Sequence, residues 1–325
     1  DRVGMAIRVL PLTVVEDRVI AAGGVAAGVR SASEWAQHGQ GQAVSSEPLI
    51  THRSIPGAPP RGRAPGGLPV KGVRVLDLTR LIAGPVCTRY LGALGADVLR
   101  LDPPDRPDMP PGSLADTLLA KRSAAMDLAE PGGVESLHEL LDHADVVVCG
   151  YRPGSLERFG LATDELASRH PGLVIVRLNA WGHSGPWAER RGFDSVVQAP
   201  TGIARGEAAG RDEPGALPCQ LLDHGTGYLA AAAALDGLRR QSVEGGTHIR
   251  ALSLARTASW LVTSGAGDMH HPPDPGRSDE WIVDLEARPR ARAVAPPGVL
   301  DGRPLQWPGP PPRYLMDPAE WLPPG

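Results

Sequence analysis

The feature that most restricts the fold is a regular alternation between residues 70 and 262. Short, mostly apolar runs at Val73–Leu76, Val98–Leu101, Val146–Val148 and 171–178 are separated by helical patterns. Pro85 to Leu94 reads as one helix, with Pro85 suited to its first turn and Gly95 to its end. Val134 to Leu141 reads as an amphipathic helix, and Thr163 to Arg169 as another. Strands rich in Val and Leu without polar alternation are covered on both faces, and helices between them imply parallel crossovers. An α/β fold is expected, with a Rossmann-like parallel sheet core flanked by helices. Ligands in such sheets collect beyond the C-terminal ends of the strands, so the loops there are where chemistry is sought.

The flanking regions differ in texture. Residues 1–52 read as a helical segment broken near Gly23-Gly24, and 53–69 as a Pro/Gly/Arg-rich linker. Residues 263–325 read as a Pro-rich tail whose short strands complete the core. The 33 Lys and Arg against 37 Asp and Glu leave a net charge of −4, without the basic excess that nucleic-acid binding needs. The 3 cysteines, Cys87, Cys149 and Cys219, form no CxxC pair, so neither a disulfide framework nor a thiolate metal site is expected. No apolar run approaches the ~20 residues of a membrane span. No signal peptide is legible at Asp1, so a cytoplasmic protein is expected.

Candidate residues cluster at the strand ends. Asp77-Leu78-Thr79-Arg80 precedes Ala83-Gly84-Pro85, placing an acid, a hydroxyl, a cation and a helix start together. Lys121-Arg122 and Tyr151-Arg152 with Arg158 fall on other loops, where basic groups could converge on a polyphosphate, although each alone suits a solvated surface. A dinucleotide site is disfavoured: Asp102 could serve as its ribose acid, but the first strand–helix turn lacks G-x-G-x-x-G. His183, in Trp181-Gly182-His183-Ser184-Gly185-Pro186, suits a loop or core histidine better than a catalyst. Trp181, Trp187 and Tyr228 are candidates to line an acyl pocket or simply to pack. Asp223 stands at the entrance of an alanine-rich helix, as either an N-cap or a nucleophilic carboxylate stabilised there.

Taken in order, Gly72 to Arg80, Ala83-Gly84-Pro85, Leu94 to Val98, Lys121-Arg122-Ser123, Ala144 to Val147, Arg152-Pro153-Gly154 and Gly185-Pro186 to Asp194 resemble the family III CoA transferases over residues 70–262. The resemblance implies that coenzyme A or acyl-CoA is a substrate, with no permanently bound cofactor and no metal, and that CoA moves between an acyl-CoA and a carboxylic acid. It implies Asp223 as the nucleophile, Arg80, Lys121, Arg122, Tyr151, Arg152 and Arg158 as CoA contacts, and a homodimer. The related acyl-CoA racemases carry a histidine where Phe193 stands, which leaves racemase or epimerase activity as an alternative beside a non-catalytic CoA-binding or dimer-partner subunit. The small domain that follows the core in family members has no counterpart in the tail. Trp35 to Leu49 instead resembles the late part of a family chain, placed before the core.

Overall fold

The computed structural model describes residues 2–62, 66–106, 111–264, 279–286 and 291–323. Residues 63–65 of the expected linker, and 265–278 and 287–290 of the expected tail, lie outside the described residues. Helices α1 (Arg2–Arg8), α2 (Leu12–Ala21), α3 (Ala32–Gln37) and α4 (Gly39–Ser46) open the chain. The core then runs β1 (Thr51–Ile55), β2 (Arg74–Leu78), α5 (Ala83–Ala93), β3 (Asp97–Asp102), α6 (Pro111–Thr117), β4 (Arg122–Ala125), α7 (Gly133–Asp142) and β5 (Val146–Cys149). It continues through α8 (Thr163–Arg169), β6 (Val174–Asn179), α9 (Asp194–Gln198), α10 (Ile203–Gly206), α11 (Leu221–Glu244), β7 (Thr247–Ser253) and α12 (Leu254–Ser264).

Seven strands form one sheet in the order β1-β7-β6-β5-β2-β3-β4. Every neighbouring pair is parallel except β1, which runs antiparallel to β7 with Thr51 opposite Ala251. Period-two alternation splits the strands between two apolar layers. Val75, Val98, Val146, Val148, Val174 and Val176 face α5 and α11. Leu76, Leu99, Val147 and Ile175 face the other way, against Leu137, Leu140 and Leu141 of α7 and Leu166 of α8. Each fully buried Val or Leu contributes about 1.5–3 kcal/mol. Small residues let α11 lie close to the sheet: a Cβ on Gly237 would fall 2.6 Å from Val174.

Two boundary expectations change. The linker expected to start at residue 53 begins inside β1, which forms the sheet's antiparallel edge. The register of Arg53 against Ile249 commits that backbone to the core. Among the described residues the tail adds no strand to the main sheet. Its ladders, β8 (Ile282–Leu285) with β9 (Ala291–Val294) and β10 (Val299–Leu300) with β11 (Arg303–Pro304), stand apart as two-stranded pieces. The tail nevertheless closes the β4 edge, where Asp317 takes the Ser123 amide through its carboxylate and returns its own amide to the Ser123 carbonyl. That pairing satisfies backbone groups an edge strand would otherwise expose.

The N-terminal segment folds back on the core. Trp35 and Val44 join Trp181, Trp187, Leu222 and Leu254 in a third apolar cluster beside the sheet. Among the described residues no helix is long and apolar enough to cross a membrane.

Candidate active site

The chain leaves β2 for β3 and β4 on one side, then crosses back to β5, β6 and β7 on the other. The loops after β2 and β5 therefore diverge, opening a crevice at the reversal of strand order. A cavity of about 710 Å³ occupies this place, floored by Leu78, Leu101, Gly150 and Ala180 from four strand ends. Arg80, Tyr151, Arg152 and Arg158 all line it, so the geometry brings together four of the sequence candidates from separate loops. Arg106, Arg190 and Arg191 line it as well. The cavity is strongly cationic, and its apolar floor strengthens attraction for a multiply charged anion.

Lys121 and Arg122 are the correction. The Lys121 side chain is 0% exposed, with its ammonium 2.8 Å from Asp77 Oδ2. Burial brings its pKa down to about 8 even though Asp77 opposes the shift. Arg122 begins β4, and its guanidinium grips Asp97, the first residue of β3, at 2.8 and 3.0 Å. Parallel pairing puts the start of β3 at the opposite end of the sheet from the cavity. The two cations share a dipeptide but not a destination, because neighbouring side chains of extended chain point to opposite sides.

The Asp77 carboxylate receives the Thr79 amide at 3.0 Å, the hydroxyls of Thr79 at 2.5 Å and Thr88 at 2.6 Å, and Lys121. Burial alone would raise its pKa, but Lys121 and Arg100 outweigh burial and hold it below the ordinary value. Asp102, a possible ribose acid by its position, is 0% exposed and bound to Arg100 at 2.6 Å, so no ribose reaches it.

Asp223 is the third residue of α11, in the first turn, and Gln220 holds the cap position without a side-chain bond. The N-cap alternative is therefore removed. The Asp223 amide donates to Asp194 Oδ2 at 3.0 Å, and the other Asp194 oxygen takes the Gln198 side-chain amide. Asp194 is buried at 1% exposure. Burial first, and the Asp194 charge second, raise the Asp223 carboxyl to about 7. A carboxyl poised near neutrality suits a proton-transfer group or a covalent nucleophile. The thiols do not compete as nucleophiles inside the core: Cys87 and Cys149 are buried, and burial pushes Cys149 up to about 12.

Asp223 and the cavity meet through one loop. Arg190, Arg191, Gly192 and Phe193 form a wall of the cavity, and Asp194 follows directly. Trp181 and Trp187, candidates for an acyl pocket, are packed away at 1% and 4% exposure with ring centroids 4.8 Å apart. Tyr228 stands edge-on to Tyr90 at 5.4 Å. His183 sits in the loop with its amide on Glu47 Oε1. Sequence reasoning missed Asp194 as the partner of Asp223, and missed Arg106, Arg190 and Arg191; the Arg190-Arg191 doublet was the one signal available. Among the described residues no group of His, Cys, Asp and Glu side chains is arranged to hold a metal ion.

A strongly cationic cavity at the strand reversal, walled by a loop that leads to a carboxyl raised toward neutrality, gives an α/β protein a site suited to a multiply charged anion. Residues 70–281 match CoA-transferase family III, and the chain belongs to that family. It is 36% identical over 238 residues to the acetyl-coenzyme A transferase nodX of Hypoxylon pulicicidum, covering 70% of this chain and 38% of that protein. It is 36% identical over 191 residues to a probable fatty acyl-CoA transferase, Rv3272, of Mycobacterium tuberculosis, covering 54% of this chain and 48% of that one. A crystal structure of Rv3272 superposes with a TM-score of 0.58 at 32% identity, covering 61% of this chain and 57% of that one. The chain thus spans about half or less of the length of these curated relatives.

Proposed function

We propose that the protein moves CoA between an acyl-CoA and a free carboxylic acid, with Asp223 as the nucleophile. The observation that carries this is the Asp223 carboxylate itself, partly buried, raised to about 7, and joined to the cationic cavity by the 190–194 loop. In the first step its oxygen attacks the thioester carbonyl, forming a mixed anhydride and releasing CoA thiolate. The thiolate then attacks the aspartyl carbonyl, giving an aspartyl-CoA thioester and freeing the first acid. The second acid displaces CoA to form a new anhydride on Asp223, and the thiolate takes that acyl group, restoring the carboxylate. No net proton or electron is exchanged, so no further co-reactant is required. Arg80, Tyr151, Arg152 and Arg158 hold the CoA pyrophosphate and 3′-phosphate in this reading, while Lys121 and Arg122 do not.

Racemase chemistry is disfavoured, because Phe193 borders the cavity where a proton-exchanging histidine would be required. We also read the organisation as an N-terminal arm placed before a core over 70–262, in a reducing, cytoplasmic protein that pairs with itself. Exposed Trp260 and Val262 on α12 support pairing. Light scattering settles that point, and a mass near 34.1 kDa at micromolar concentration rules the dimer out. The decisive experiment is intact-mass analysis after incubation with a panel of acyl-CoAs. An aspartyl-CoA adduct that disappears in Asp223→Ala supports the reading; an adduct that persists in that variant overturns the assignment.

A further inference from the structure

The wall shared by the cavity and Asp223 is an irregular loop, from the end of β6 at Asn179 to the start of α9 at Asp194. Such a stretch has no strand or helix ladder to fix its shape, so its backbone groups must find other partners. Several come from one side chain more than 140 positions earlier in the chain. Gln40 is 0% exposed. Its Nε2 donates to the Trp181 carbonyl at 2.7 Å and to the Ser184 carbonyl at 2.8 Å, while its Oε1 accepts the Trp187 amide at 2.6 Å. Both amide protons and the carbonyl of one glutamine are thus spent on three backbone groups of one loop.

The neighbourhood is built around that amide. A Cβ on Gly185, whose φ is +87°, would fall 2.6 Å from Gln40 Oε1. A Cβ on Gly41 would meet the Trp35 carbonyl at 1.9 Å, so the first turn of α4, which carries Gln40, packs against α3 only with glycine there. Glu47, from the same arm, takes the His183 amide at 3.0 Å and the Ser184 hydroxyl at 2.8 Å from the outer side. Downstream, Trp181 Nε1 donates to the Arg191 carbonyl at 3.1 Å, and Gly192 lies flat against Ala180 and Trp181. Fixing Trp181 and Trp187 therefore fixes Arg190 to Gly192, and with them Phe193 and Asp194. Asp194 in turn holds the Asp223 amide.

We propose that Gln40 is a positioning residue of the active site: the arm at 31–47 sets, through its amide, the loop that aligns Asp194 and Asp223 with the cavity. The proposal rests on the transferase reading for its catalytic consequence, but its structural part does not. Arg80, Arg152 and Arg158 lie on other loops, so displacing this one alters the reacting end of the site more than the polyphosphate end. Gln40→Met keeps the side chain's length and removes all three bonds. Glu47→Ala loosens the same loop from a less buried position and serves where the first variant fails to fold.

Three measurements test this. Hydrogen exchange of the 181–193 amides should quicken in both variants while the β6 amides stay protected, a result that needs no ligand. With acyl-CoA and acceptor acid, kcat of CoA exchange should fall on the order of 100-fold in Gln40→Met, since small misplacements of reacting groups have such effects. KM for acyl-CoA should move less than about three-fold, because Arg80, Arg152 and Arg158 lie outside the displaced loop. Unchanged loop exchange overturns the proposal. So does a quickened loop with unaltered kcat, or a loss that appears in KM alone. If the parent protein binds no CoA in calorimetry, the transferase reading falls instead, and hydrogen exchange alone decides whether Gln40 sets the loop.

Discussion

Asp77 and Asp223 are two acids at the same end of the sheet, and their surroundings could hardly differ more. Asp77 lies in β2 and receives two hydroxyls, an amide and the Lys121 ammonium, so its charge is matched on every side and its pKa is lowered. Asp223 stands in the first turn of α11 with another carboxylate as its charged neighbour, and its pKa is raised to about 7. A buried charge that is fully compensated fixes structure. One whose charged neighbour is of like sign is held in a state that chemistry can relieve. On the transferase reading, the contrast separates a structural acid from the proposed nucleophile without appeal to conservation.

The largest expected effect breaks that contrast at its functional end. Asp223→Asn should lower CoA exchange on the order of 10⁴-fold or more, the scale seen when a nucleophile is removed. Its unfolding free energy should not fall more than about 1 kcal/mol below the parent's, because the side chain caps nothing, and at pH 7 and above it should rise as the raised carboxylate is removed. Steady-state exchange assays and urea unfolding measure the two. A variant that exchanges CoA at the parent rate takes Asp223 out of the mechanism.

Asp77→Ala inverts the pattern. It strands the Lys121 ammonium in a fully buried site. Breaking a buried ion pair at one partner costs about 3–5 kcal/mol, enough to consume much of a domain's stability. A loss below about 1 kcal/mol in urea unfolding would mean that Asp77 does not hold the Lys121 charge in place.

The pH dependence follows from the raised Asp223 pKa. Between the ordinary aspartate value of 3.8 and about 7, the folded state holds a proton that the unfolded chain has released. The native state binds more protons in that window, so this group's contribution makes stability fall as pH rises through it. The usual salt-bridged aspartate does the reverse. Exchange activity should rise over the upper part of the same window as the carboxylate ionises, levelling above about 7. Asp223→Asn should remove this component of the stability profile, and a profile identical to the parent's would show that Asp223 is not the titrating group.

On the cavity side, Arg152→Ala and Arg158→Ala should each weaken CoA binding about ten-fold, the loss of roughly one charge-assisted contact. The difference from the parent should shrink in high salt, since exposed charges are screened. Calorimetry at two ionic strengths reads both effects. Unchanged affinity in both variants would place the polyphosphate elsewhere.

Much of this arrangement was legible in the chain. Val73–Leu76, Val98–Leu101 and the Val146–Val148 run mark β2, β3 and β5, because strands covered on both faces must be apolar throughout. Asp223 stood out by its place ahead of an alanine-rich helix, and the backbone removes the capping reading by putting Gln220 at the cap. Asp194 and Gln40 were not legible, since their roles arise from contacts 29 and more than 140 positions away. The pairing of Val299–Leu300 with Arg303–Pro304 in the tail was not legible, because a two-residue ladder has no periodicity from which to read a sheet.

The smallest effect sharpens the comparison where sequence neighbours part. Arg122 follows Lys121 directly, yet it reaches away from both the Asp77 cluster and the cavity, clasping Asp97 and donating to the Glu320 carbonyl at 2.6 Å. Its side chain is 17% exposed and Asp97's is 14%, so the pair is neither fully buried nor freely solvated. Arg122→Gln should therefore lower stability by about 1 kcal/mol, between the surface and buried extremes. It should also loosen the tail, because Leu322 donates its amide to the same Asp97 carboxylate at 3.1 Å. Proteolysis near residue 320 should quicken accordingly. CoA affinity should stay within about two-fold of the parent, because a charge at the far end of the sheet is screened beyond ~8–10 Å. If calorimetry instead finds Arg122→Gln weakened as much as Arg152→Ala, the polyphosphate runs to the β4 edge, and the division between a structural and a functional end of the sheet fails.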